Sequence, residues 1–379
     1  MIWDDVNAAY PINAQSIWLN NCGTTPTGLH IVSRMAVHFE KLAESGPGAD
    51  DASPSLILDG IRSQLGQLLN ANPSDIALVH NTAEGMTMVS MGLELSAGDE
   101  ILLLENVYPS NVYPWEHWQE RGVALHFVPM ARNAEVFLEN FRKAITPRTR
   151  VACMSTVHWC TGMPFPVEAM SDVCKERGVL LILDGSQGVG QVPLNFNRVS
   201  PAVLCFSAWK WLLGPLGLGV LVVDPKTLAN LRMPFKGTDS VADPQSYLPY
   251  QTQMRPSVDR YTYSTANYND WAYLDESLRF LGGIGFDVVQ ARILELTRVL
   301  WAGLRSLGFE CAYDCDSGPL SGILSVRKAG VDMDELCAKL TAQGFVARVR
   351  LNHLRLAPHI YLSLEQMHET VAAIAKLTA

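Results

Sequence analysis

No window of the sequence holds the eighteen or so uninterrupted apolar residues that a membrane helix requires. The most apolar runs, residues 179–183 and 216–223, are strand-length, so no membrane association is expected. Basic charge is scarce as well: Lys and Arg number 29 against 38 Asp and Glu, a formal net charge of −9. With a pI near 5.5, the chain has no broad cationic field to neutralise polynucleotide phosphates, which argues against nucleic acid as a partner. Asp4 and Asp5 stand where a secretory signal would carry positive charge, and no apolar stretch follows them, so a cytoplasmic protein is expected. The 8 cysteines form no CxxC pair, and thiols in apolar surroundings behave as small hydrophobes, so no metal site is expected. Repeats, low-complexity tracts and blocks of like charge are also missing, which leaves the alternation of apolar runs to be read.

The chain has 379 residues, 48% of them hydrophobic and 18% charged, a balance that excludes wholesale disorder. At about 150 residues per domain, a large core spread over two or three domains is expected. Strand-like runs fall at 76–79, 100–104, 124–128, 150–156, 179–183, 203–206 and 219–223. Helical spacing falls between them at 56–69, 84–95, 114–121, 134–144 and 167–177. Apolar strands joined by helices predict a mostly parallel sheet covered on both faces. Residues 232–268, rich in Pro, Gln, Ser, Thr and Tyr, break this rhythm and read as a functional or interfacial loop. Two long helices at 269–281 and 288–307 follow, then a smaller α+β set.

The chemistry is concentrated in 180–223. One apolar strand ends in Asp184, and a second ends in Ser207 with Lys210 just beyond, so a carboxylate and an amine emerge at the carboxyl edge of the sheet. Phe206, Trp209, Trp211 and Leu212 surround Lys210 with apolar matter, which lowers an amine's pKa and suits Schiff-base formation. A Schiff-base lysine together with an acid for a pyridinium nitrogen is what pyridoxal phosphate requires.

Asp184-Gly185-Ser186-Gln187-Gly188-Val189-Gly190 is similar to the D-G-A-Q-x-x-G segment of the class V aminotransferases. Phe206-Ser207-Ala208-Trp209-Lys210, running on to Gly214-Pro215-Leu216-Gly217, is similar to that family's F-S-x-H-K-x-x-G-P-x-G. The chain therefore resembles the fold-type I group that includes cysteine desulfurases, cystine carbon–sulfur lyases and isopenicillin N epimerases, over residues 17 to 377 or so. The resemblance implies an α/β fold with a mostly parallel sheet in a large domain and a smaller α+β C-terminal domain. It divides the chain into an N-terminal arm (1–20), a large cofactor-binding domain (21–265) and a small domain (266–379) on which the N-terminal segment packs.

By the same resemblance, pyridoxal phosphate is held by Lys210 as Schiff-base lysine and catalytic group, by Asp184 at the ring nitrogen, by Gln187 at the phenolic oxygen and by Ser207 at the phosphate. Thr82 and Ala83, in His80-Asn81-Thr82-Ala83-Glu84-Gly85, match the family's phosphate cup at a helix N-terminus, although Thr82 taken alone reads first as a plain helix cap. Thr265 matches a threonine that reaches the phosphate of the neighbouring subunit, which implies a homodimer with the active site at the interface. Arg355, in Leu354-Arg355-Leu356-Ala357-Pro358, matches the arginine that grips the substrate carboxylate; Arg348 and Arg350 nearby also read as surface residues. The entry loop Leu19-Asn20-Asn21-Cys22-Gly23-Thr24-Thr25-Pro26 places Asn21 on the substrate side.

The departures from the family bear on reaction type. Tyr108 replaces the histidine that stacks on the pyridine ring, and Trp209 replaces the histidine before the lysine. The segment before Arg355, Arg348-Val349-Arg350-Leu351-Asn352-His353-Leu354, is short and carries no cysteine, which disfavours a persulfide-forming desulfurase. Ser155-Thr156-Val157-His158-Trp159 resembles the cystine lyase form, with Trp159 on the substrate side and His158 either facing the pocket or in the core. The implied activity is β-elimination from a cysteine-derived amino acid, with transamination or epimerisation as the alternative.

Overall fold

The computed structural model describes residues 2–46 and 53–379. A short strand β1 (Ile17–Trp18) precedes seven strands of one sheet: β2 (Ile76–Val79), β3 (Glu100–Leu104), β4 (Ala124–Val128), β5 (Thr149–Ser155), β6 (Leu180–Asp184), β7 (Val203–Ser207) and β8 (Gly219–Val223). Their spatial order is β2-β8-β7-β6-β5-β3-β4, and only β8 runs antiparallel to its neighbours. The expected mostly parallel sheet is what forms. Side chains alternate faces along a strand, and Leu102 and Leu104 enter one core layer while Ile101 and Leu103 enter the other. Both faces are thereby covered.

The helices at Pro54–Leu69, Ala134–Ala144 and Val167–Arg177 lie where the apolar spacing puts them. The helix at Leu29–Ser45 does not stand out in the sequence, because only Ile31 and His38 are buried while Leu29, Val32, Val37 and Phe39 face outward. Its apolar residues spread over more than one face and mask the 3.6-residue period. The helix expected over 114–121 is a four-residue turn, Tyr113–Glu116, followed by a 3-10 turn at Gln119–Arg121.

Two long helices, Tyr268–Ile284 and Phe286–Ser306, meet at Gly285, whose φ of +103° breaks the chain direction where a side chain would be strained. A second sheet follows, with β9 (Glu310–Cys311), β10 (Leu324–Arg327), β12 (Arg348–Arg350) and β13 (His353–Leu356) in the order β12-β13-β10-β9. The N-terminal segment is sewn onto this unit. β1 pairs in parallel with β11 (Phe345–Val346), and the Ala357 N–H donates to the Leu19 carbonyl at 2.7 Å. Cys311 and Cys315 are joined by a disulfide, a pairing not anticipated from their spacing; five other cysteines are free and buried, and Cys337 is half-buried. No described helix is long and apolar enough to cross a membrane.

Candidate active site

Adjacent strand ends build the floor of the site. Ser155 lies beside Asp184 and Asp184 beside Cys205 in the parallel register, so Ser155, Asp184 and Ser207 leave the sheet together at its carboxyl edge. A cavity of about 340 Å³ opens over that edge. Lys210, Asp184, Gln187, Thr82, Ala83, Tyr108, Trp159 and Arg355 all line it, as expected from the sequence.

Asp184 is buried with its carboxylate held at both oxygens. Oδ1 accepts the Ser186 N–H at 2.8 Å, and Oδ2 accepts the Asn111 side-chain amide at 2.9 Å. Two donors fix the orientation of its carboxylate. Lys210 Nζ sits 5.7 Å from the centroid of the Tyr108 ring and 5.9 Å from that of Trp209. Burial pulls the pKa of this amine below its ordinary value, and Arg355 acts in the same sense against the opposing charge of Asp184. A larger share of neutral amine is a larger share of nucleophile.

The amide orientation of Gln187 is fixed by its neighbours. The indole N–H of Trp211 donates to Oε1 at 3.1 Å, and Nε2 donates to the Cys22 carbonyl at 2.8 Å. Trp211 can only donate, so Oε1 must face it and Nε2 keeps one further hydrogen. The turn beneath depends on Gly190, at φ +96°, where a Cβ would lie 2.8 Å from the Trp211 carbonyl.

The opposite corner is the start of the helix Thr82–Gly92. Asn81, not Thr82, is its N-cap, with Oδ1 accepting the Glu84 N–H at 2.9 Å. Thr82 is thereby left to meet Ser186, their hydroxyls 3.0 Å apart. Asn81, Thr82, Ala83 and Ser186 form a cluster of hydroxyl, amide and helix N-terminal donors suited to a phosphate.

Elsewhere in the cavity wall Arg355 is buried, donating to the Trp159 carbonyl at 2.8 Å and to Asn20 Oδ1 at 3.5 Å, with Nε unpartnered. Trp159 is anchored by its indole N–H on the Asn106 carbonyl at 2.8 Å and meets Tyr108 edge to face at 5.5 Å.

Four expected residues do not line this cavity. His158 is buried behind it, donating from Nε2 to the Asn106 carbonyl and accepting the Thr161 N–H at Nδ1, which makes it a core histidine. Asn21 is fully buried, tied by Nδ2 to the Ala357 carbonyl at 2.7 Å and by Oδ1 to the Tyr361 hydroxyl at 2.5 Å, so it shapes the entry loop from within. Ser207 lies behind Ser186, whose Oγ accepts its N–H at 3.2 Å, and its own hydroxyl is unpartnered. Thr265 lines a separate recess with His80, Glu84 and Tyr263.

Reading the sequence missed the role of Asn111. Its neighbour Tyr108 drew attention for its ring, and nothing local shows that Asn111 reaches Asp184 across 73 positions. Cys22, Asn81, Ser110, Ser186 and Arg350 also line the cavity, and all but Ser110 stand inside segments already singled out in the sequence.

The sequence profile of the aminotransferase class-V family matches residues 17–367. A probable cysteine desulfurase of Methanothermobacter thermautotrophicus is 25% identical, covering 98% of this chain and 92% of its own. A probable cysteine desulfurase of Vibrio cholerae is 22% identical over 98% of both. The structure of a cystine C–S lyase in complex with cysteine persulfide superposes with a TM-score of 0.89 at 23% identity, covering 97% of this chain and 99% of the other. The apo cysteine desulfurase of Thermococcus onnurineus superposes equally well, at 0.89 and 21% identity, over 99% and 98%. Likeness at this identity establishes the fold, the expected fold-type I architecture.

Proposed function

The chain belongs to the aminotransferase class-V family of pyridoxal-phosphate enzymes, and on that premise we propose that it is a carbon–sulfur β-lyase acting on a cysteine-derived amino acid. The donor set suits the cofactor: an amine of lowered pKa at Lys210, a fixed carboxylate at Asp184, an oriented amide at Gln187 and phosphate donors at Asn81, Thr82, Ala83 and Ser186. When bound, pyridoxal phosphate supplies the electron sink that lets an amino acid release its α-proton. Lys210 Nζ accepts and returns that proton. Arg355 fixes the substrate carboxylate in a bidentate fork, and Tyr108, Trp159 and Trp209 exclude water around the amine.

The observation that carries the lyase reading is the state of the cavity's thiol. Cys22 is the one cysteine lining the cavity among the described residues; burial pushes its pKa up, with Arg355, Lys210 and Arg350 opposing only in part. A protonated thiol held inside the entry loop is a poor sulfur acceptor. The segment before Arg355 offers no alternative, because it is a tight hairpin from β12 to β13 without cysteine. Loss of the sulfur substituent then needs no protein thiol, and pyruvate and ammonia are the final products.

The test uses purified protein with pyridoxal phosphate. A visible absorbance band that the Lys210→Ala variant does not develop establishes the cofactor site. Turnover of cystine or a cysteine thioether must then yield pyruvate, and intact-mass spectrometry must find no one-sulfur adduct on the protein. A persulfide on Cys22 would select the desulfurase reading, and conversion of the band to a near-ultraviolet pyridoxamine form would select transamination. We also propose a homodimer, supported by the exposure of Tyr247, Leu248 and Tyr250 in the long segment after β8 and by the position of Thr265 outside its own chain's cavity.

A further inference from the structure

We propose that the substrate carries a second anionic group at the far end of its side chain, and that Arg350 receives it. The inference rests on the lyase reading of the same cavity and narrows its substrate class to cysteine S-conjugates bearing an acid.

The argument begins with strand register. Arg348 lies opposite Arg355 and Arg350 opposite His353 in the antiparallel ladder of β12 and β13. Residues two apart share a face, so Arg348, Arg350, His353 and Arg355 all stand on one face of the hairpin, with Arg350 the diagonal neighbour of Arg355. Leu351 and Asn352 join the strands with φ of +48° and +58°, a two-residue turn of the kind that pins a hairpin tightly. Arg350 is therefore held at a set distance along the ladder from Arg355.

Charge balance supplies the second step. Three cationic side chains line the cavity, Lys210, Arg350 and Arg355, against the single carboxylate of Asp184. Asp184 is at the floor and already held by Ser186 and Asn111. Neither Arg350 nor Arg355 forms an ion pair with an acidic residue among the described residues. Among the described residues the Arg350 guanidinium donates only to the carbonyl of Val349 beside it, at 2.8 Å. The two guanidinium groups face one space, since both line the same cavity. With the phosphate donors at the opposite corner, two arginines remain for one substrate. Arg355, buried, suits the α-carboxylate, and Arg350, exposed at the rim, meets whatever the side chain carries outward.

Two ligands of one shape separate this from the alternatives: 3-(carboxymethylthio)propanoate and its carbamoylmethyl counterpart, in which a neutral amide replaces the distal carboxylate. Neither has an amine that could react at the cofactor, so calorimetric titration of the holoenzyme reads binding without turnover. The diacid should bind wild type at least about tenfold more tightly than the monoamide, the scale of one charge-assisted hydrogen bond. Arg350→Gln should bring the two within about threefold of each other while leaving monoamide affinity in place, and Arg350→Lys should keep part of the preference. A wild-type ratio near one, or equal weakening of both ligands by Arg350→Gln, overturns the proposal. Absence of the Lys210-dependent band or of pyruvate would instead count against the lyase reading and leave the binding comparison standing.

Discussion

Trp211 and Gln187 form a donor-to-acceptor pair in which the indole N–H meets Oε1 at 3.1 Å, both side chains being buried. The bond decides which end of the Gln187 amide faces the Cys22 carbonyl. Trp211→Phe keeps an aromatic ring but strands Oε1, and an unsatisfied buried acceptor costs about 1–3 kcal/mol. Urea unfolding should show a loss of that size. The pH titration of the cofactor band should also move, because the amide is then free to turn. A Trp211→Phe, Gln187→Leu double variant should lose less than the sum of the single changes; strict additivity would show that the pair does not act as a unit.

Asp184 raises the pKa of Lys210 against the lowering effect of burial. Asp184→Asn removes the opposing charge, so the amine should become neutral at a lower pH than in wild type. The rate at which the visible band forms on mixing with pyridoxal phosphate, measured across pH 6–10 or so, should have its midpoint shifted downward. An unmoved midpoint would mean that the carboxylate does not act on the lysine.

The legible part of this site is its contiguous part. Asp184, Gln187 and Lys210 stand on two strand-to-turn segments whose side chains are placed by neighbours close in sequence, so their spacing already implies one sheet edge. Groups that reach the site from elsewhere leave no local trace. Asn111 meets Asp184 from a 3-10 turn, and Asn21 is locked by Tyr361 from the opposite end of the chain. His158 stands between the cavity residues Val157 and Trp159, and Ser207 lies two positions before Trp209, yet neither lines the cavity. A motif fixes where the backbone runs; which of two adjacent side chains faces the cavity is decided by hydrogen-bond partners such as Asn106 and Ser186 that only folding brings near.

The contact between Asn21 and Tyr361 ties the entry loop to the C-terminal unit. The Tyr361 hydroxyl donates to Asn21 Oδ1 at 2.5 Å, and its ring stacks on Tyr10 at 4.3 Å. Tyr361→Phe preserves the stack and deletes the hydroxyl, so stability should fall by about 1–3 kcal/mol through the orphaned Asn21 oxygen. The loop bearing Cys22 should loosen with it. Alkylation of Cys22 by iodoacetamide, read by peptide mass spectrometry, should be faster in the variant, and an unchanged rate would show that other contacts suffice to hold the loop.

Two buried imidazoles, His158 and His359, weaken the fold as pH falls. His158 accepts the Thr161 N–H at Nδ1 and His359 accepts the Ile360 N–H at Nδ1, while both donate from Nε2 to backbone carbonyls, so each ring is held neutral in one tautomer. Burial lowers both pKa values from the ordinary 6.5 to about 4. The unfolded chain therefore binds these protons first as pH falls, and the stability that each neutral ring contributes is present above pH 6.5 and is lost between about 6.5 and 4. The slope is about 1.4 kcal/mol per pH unit for each histidine within that window. Unfolding free energy from urea titrations should drop steeply from pH 6 to 5, and His158→Gln should make that drop shallower by about one such increment. An identical slope in wild type and variant would mean that His158 protonates in the folded protein as easily as in the unfolded chain.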